Sequence, residues 1–125
     1  MRDLTHNIAQ LTEYMVKRGV KADPSPKVKL RRTIQEGPSI SITTGHYDPD
    51  THEIVLYVAG RHDKDILRSY AHELIHHDQN MRGLMRGSIA TPTGYAQVDP
   101  HLRKLEMDAY LRGNMLFRDW CDSQR

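Results

Sequence analysis

Cysteine is nearly absent: Cys121 stands alone in 125 residues, which excludes an internal disulfide and any cysteine-built zinc site. No stretch approaches the roughly 18–20 apolar residues of a membrane span. Met1-Arg2-Asp3 leads straight into an amphipathic pattern, without the apolar core of a signal peptide. A soluble protein of a reducing, cytoplasmic compartment is therefore expected, with no membrane partner. Six Pro and eight Gly are spread along the chain, which argues against a long disordered tail. Neither charge sign dominates. The formal net charge is +2 and the basic residues are scattered among acids, so nucleic acid is not expected as the main partner. Internal repeats and low-complexity stretches are also missing. What is present is enough chain for one domain over residues 1–125, and eight histidines, a number that directs attention to metal chemistry.

Asp3 is placed to cap a first helix in which Leu4, Ile8, Leu11 and Met15 form a stripe at three- and four-residue spacing, ending at Gly19. Asp23-Pro24-Ser25-Pro26 makes a connector. Residues 27–34 alternate basic and apolar side chains, as a half-buried strand does, and Ser39–Thr44 alternates again after Pro38. Asp48-Pro49-Asp50-Thr51 reads as a turn, and Glu53–Ala59 is the strongest strand of the chain. The last two strands are expected to form a hairpin, which makes the three-stranded sheet partly antiparallel. A helix follows from about Asp63 to Arg82, with Ile66, Leu67, Tyr70, Ala71, Leu74 and Met81 on one side. Residues 83–100, with three Gly and two Pro, read as a long loop. A last helix runs from about His101 to Trp120. The fold class is α+β.

Within the second helix the chain reads His72-Glu73-Leu74-Ile75-His76, an H-E-x-x-H motif. Positions i and i+4 lie one turn apart on the same face, so two imidazoles can converge on one ion. Glu73 then stands to the side, where its carboxylate can take a proton from a metal-bound water whose pKa zinc has lowered to about 7. The wheel sets Asp65, Arg68, Ser69 and Gln79 on the histidine side, opposite the apolar arc, as expected of a helix that backs onto a core and faces a cleft. His77 projects round the helix from the pair and is expected near the surface or behind the metal ligands.

A catalytic zinc takes three protein ligands. The downstream candidates for the third are Asp78, Asp99, His101, Glu106 and Asp108. Leu102, Leu105, Ala109, Gly113, Leu116, Phe117 and Trp120 share one arc of the last helix, and Glu106 lies within it. A carboxylate on an apolar face is costly unless paired or metal-bound, which favours Glu106. Asp108 projects toward Lys104 and Arg118 and reads as a solvated acid, with Asp108 and His101 kept as alternatives.

His72-Glu73-Leu74-Ile75-His76 followed by Glu106-Met107-Asp108-Ala109-Tyr110 resembles the gluzincin clan of zinc metallopeptidases, whose third ligand is a Glu on a later helix, often in a Glu-x-x-Ala setting. The small size resembles the minigluzincins, and Gln79 matches the His-Glu-Leu-x-His-x-x-Gln segment of small phage-type metallopeptidases. The resemblance covers about a third of the chain. It implies a zincin-like domain that binds one zinc through His72, His76 and Glu106 and hydrolyses peptide or protein substrates, with Glu73 as base and then proton donor. Several gluzincins carry an Asp four residues after the ligand Glu, where this chain has Tyr110. That hydroxyl could accept an imidazole N–H or face the reaction. Tyr95, Tyr110 and His101 are candidate oxyanion donors, and an unpaired strand of the 39–59 hairpin could hold an extended peptide. Two other readings are a zinc-binding regulatory module with little hydrolysis, and nucleic-acid binding through Lys27, Lys29, Arg31 and Arg32. The sequence carries no signal for an oligomeric state.

Overall fold

The first helix, α1 (Leu4–Lys17), buries Ile8, Leu11 and Met15, the residues of its expected stripe. It stops because Gly19 adopts φ +100°, a conformation that costs glycine little. The Gly19 and Val20 amides then bond back to the Val16 and Met15 carbonyls, satisfying the last turn. The computed structural model describes residues 4–32, 44–85 and 100–124; Asp3, Tyr95 and Asp99 lie outside them. The remaining elements are β1 (Lys27–Arg31), β2 (Gly45–Asp48), β3 (Glu53–Tyr57), α2 (Asp63–Met81) and α3 (Pro100–Ser123). This is an α+β arrangement of three helices and a small mixed sheet.

The sheet order is β1-β3-β2, with β1 parallel and β2 antiparallel to β3. Central β3 buries Ile54, Val55 and Leu56 in succession, as a strand flanked on both sides does. The hairpin is where it was expected, but its first strand is not. Strand structure begins at Gly45, Thr44 precedes it, and residues 39–43 lie outside the described residues. The turn sets this register. Asp48 Oδ1 accepts the amides of Asp50 and Thr51, which places Asp48 opposite Glu53 and Gly45 opposite Leu56. The expected strand over Ser39–Thr44 is thus described only at Thr44, which is not part of β2. β1 likewise ends at Arg31 rather than extending to residue 34.

α2 starts at His62, whose side chain accepts the Lys64 amide, and ends at Gly83 with φ +77°. Its Ile66, Leu67, Tyr70, Ala71, Leu74 and Ile75 meet Ile8, Leu11 and Met15 of α1, Ile54 and Leu56 of β3, and Ala109, Leu116, Phe117 and Trp120 of α3 in one core cluster. Full burial of such an aliphatic side chain contributes about 1.5–3 kcal/mol. α3 opens on Pro100, whose missing N–H costs nothing in the first turn of a helix. Arg61 donates to the Tyr57 and Thr44 carbonyls and to Ser69 Oγ, so it ties the end of the sheet to α2. No helix among the described residues is long and apolar enough to cross a membrane.

α3 crosses α2 closely at Gly113. A Cβ there would sit 3.1 Å from the His72 Cα and 3.2 Å from the His72 nitrogen, both backbone atoms. Alanine would favour the helix by about 1 kcal/mol, so the glycine is kept for the contact. Gly113→Val is expected to force the two helices apart and cost about 2 kcal/mol. Chemical unfolding would read this, and an unchanged midpoint would show that α3 is not pinned against His72.

Candidate metal centre

α2 carries His72 and His76 one turn apart, and α3 lays Glu106 across them. Glu106 Oε1 lies 3.1 Å from His72 Nε2 and 2.5 Å from His76 Nε2. The three side chains form a group that could hold a metal ion, with donor atoms all within 4.8 Å of one another. The Glu106 side chain is 44% exposed. It is thus not a carboxylate sunk in an apolar face, the premise that singled it out; it reaches the histidines from the rim of that face.

The hydrogen bonds behind His76 decide which way its ring presents its lone pair. Gln79 Nε2 donates to the Leu105 carbonyl and to Asp108 Oδ2, both at 2.9 Å. That leaves Gln79 Oε1 facing His76 Nδ1 at 2.9 Å, so Nδ1 must carry the proton. In neutral His76 the Nε2 lone pair then points at the Glu106 oxygen. Two lone pairs at 2.5 Å repel unless a cation stands between them, either a proton on Nε2 or a metal ion. Tetrahedral donors at zinc-type distances of 2.0–2.1 Å lie about 3.3 Å apart. The His72–Glu106 separation is close to that, and the His76–Glu106 pair would open by less than 1 Å. With all donors within 4.8 Å of one another, the set could hold a metal ion.

Electrostatics follow the same geometry. Burial alone would lower the His76 pKa, but its bond to Glu106 and the nearby Glu73 charge raise it on balance. Bonds from His72 and His76 hold the Glu106 carboxyl well below the usual carboxylate range. Glu73 behaves oppositely: burial pushes its carboxyl up, against the nearby histidine charges. Glu73 is only 7% exposed, and among the described residues its carboxylate has no hydrogen-bond or ion-pair partner. A carboxylate so largely withdrawn from water is costly to keep charged. β2 passes beside it, where a Cβ on Gly45 would come 3.8 Å from Glu73 Cγ. In the sheet order β2 is an edge strand.

Several expectations are corrected here. The histidine side of α2 is open only in its first turns, where Asp65 and Arg68 are exposed; farther along α3 covers it and Gln79 is fully buried. His77 is not near the surface. It is fully buried, donating from Nε2 to the Pro24 carbonyl and accepting the Tyr47 hydroxyl at Nδ1. Burial lowers its pKa, consistent with a neutral ring. Asp108 is no solvated acid beside Lys104 and Arg118. It accepts two bonds from Arg112 and one from Gln79, and Arg112, against the cost of burial, holds its carboxyl below the usual range. Asp78 is fully buried and accepts from the Lys21 amide, Arg82 and Arg112. Neither aspartate is turned to the histidine pair as a ligand. His101 Nε2 donates to the Leu84 carbonyl and does not join the group. Tyr110 meets His72 ring to ring, with centroids 4.7 Å apart. It is 61% exposed, and among the described residues its hydroxyl accepts no imidazole N–H. Lys29 is paired with Glu53, which leaves less free charge on β1 for a polyanion.

Gln79, Asp108 and Arg112 are the residues whose part the sequence reading missed. The signal available was four consecutive polar residues, His76 to Gln79, on a helix otherwise rich in core positions. No protein-family model, curated protein or solved structure matches the chain.

Proposed function

We propose that this chain is a small zinc-dependent metallopeptidase with a zincin-like domain, similar to the gluzincins, in which His72, His76 and Glu106 hold zinc and Glu73 moves the proton. The observation that carries the reading is Glu73, a buried carboxylate without a partner, beside three converging donors. A module that only bound metal would have no use for it. Bound zinc would supply Lewis-acid polarisation of a peptide carbonyl and acidify the attacking water. Glu73 takes that water's proton on its carboxylate and passes it to the departing amine nitrogen. Its raised proton affinity suits it to both halves of the transfer. The edge of β2 that is unpaired among the described residues, beside Glu73, offers main-chain groups to an extended peptide by strand addition.

Elemental analysis of the purified chain is expected to find about one zinc per molecule, and His76→Ala is expected to lose it. Absence of metal from the parent chain after zinc is supplied would end this reading.

A further inference from the structure

The geometry points to Gln79 as a positioning residue of this centre: its side-chain oxygen holds His76 in the tautomer whose Nε2 lone pair faces the metal position, and Asp108 with Arg112 holds Gln79 in that orientation. This rests on the metal-site reading above. The argument is one of donor and acceptor accounting. An amide can offer either its oxygen or its nitrogen to a neighbour, and a free glutamine would do both. Here the nitrogen is committed twice, to the Leu105 carbonyl and to Asp108 Oδ2. Asp108 can accept but not donate, because Arg112 Nε and Nη2 hold both of its oxygens at 2.7 Å. Arg112 is held in turn by Asp78 Oδ2 at 2.8 Å. The orientation of Gln79 is therefore set by charges that do not touch the metal position, and only its oxygen is left for His76 Nδ1.

Gln79 is fully buried, so solvent does not compete for these bonds. Its place three residues after His76 puts it on the same side of α2, where α3 closes over it. A partner of this kind on the remote nitrogen of a ligating histidine typically changes metal affinity by about 10–100-fold.

Two variants and two readouts test the assignment. Gln79→Met keeps length and volume but has no donor and only a weak thioether acceptor. Its zinc affinity, measured by competition with a chromogenic chelator, is expected to fall by about 10–100-fold. Imidazole nitrogen NMR of the zinc-loaded parent should show the His76 proton on Nδ1 with slow exchange, and the variant should lose that protection. In the second variant, Asp108→Ala, Gln79 Nε2 keeps the Leu105 carbonyl as an acceptor but loses the charged partner that fixes the amide. The side-chain oxygen can still face His76 Nδ1, so zinc affinity should fall by less than in Gln79→Met. Equal zinc affinity of Gln79→Met and the parent would overturn the role of Gln79 while leaving the metal site in place. A deeper loss in Asp108→Ala than in Gln79→Met would overturn it too, because Asp108 would then act on the site other than through Gln79. A parent chain that binds no zinc would remove both the role and the site.

Discussion

Replacing Glu73 with glutamine is expected to lower peptide hydrolysis by about 10²–10⁴-fold, the usual contribution of a positioned general base, while zinc content stays that of the parent. The amide has the shape of the carboxylate but no site for the proton. Because Glu73 is not one of the three converging donors, its loss leaves the metal position intact. The two side chains are nearly isosteric, so the replacement fits. A second consequence has the opposite sign. A largely buried charge is a cost to the fold, and removing it should raise stability in the presence of chelator by up to about 1 kcal/mol. Loss of activity with a gain in stability would separate a catalytic group from a structural one. Hydrolysis by Glu73→Gln at the parental rate would eliminate Glu73 as the base.

The apolar side of this fold is readable from the sequence because burial there follows period. Ile8, Leu11 and Met15 recur at helical spacing, as do Ile66, Leu67, Tyr70 and Leu74, and all are buried. The polar side is not readable in the same way. His77, Asp78 and Gln79 leave water only because partners come to them from distant points of the chain: the Pro24 carbonyl and Tyr47, the Lys21 amide, and Arg112 with Asp108. A helical wheel treats each helix as surrounded by core on one side and water on the other. It therefore assigned Asp108 to solvent, where α3 in fact presents it to Gln79. The convergence of His72 and His76 was legible because H-E-x-x-H fixes a local geometry, whereas Glu106 comes from a separate helix. The reason for preferring Glu106 was wrong in detail, since its side chain is half exposed.

The largest stability loss outside the apolar core is expected at Asp78. Its side chain is fully buried, with Oδ1 accepting the Lys21 amide at 2.7 Å and Arg82 Nε at 2.9 Å, and Oδ2 accepting Arg112 Nη2 at 2.8 Å. Those bonds join the connector after α1, the end of α2 and the middle of α3, three places the core alone does not lock in register. Removing one partner of a buried, charged network costs about 3–5 kcal/mol, a large share of the 5–15 kcal/mol that holds a typical domain together. Asp78→Ala should therefore lower the midpoint of thermal unfolding by about 10–20 °C for a chain of this size. The measurement belongs in chelator, because bound metal would add its own stabilisation and mask part of the loss. Asp78→Asn keeps one acceptor for the Lys21 amide but turns an NH₂ toward an arginine, so it should fall between the parent and Asp78→Ala. Arg112 retains Asp108 in both variants, so the damage should reach the metal position only weakly, as a loss of zinc affinity smaller than that of Gln79→Met. A shift of less than about 3 °C for Asp78→Ala, near 1 kcal/mol or below, would mean that these bonds merely replace equivalent ones to water. The register of the three helices would then rest on the apolar cluster and on the close crossing at Gly113 alone.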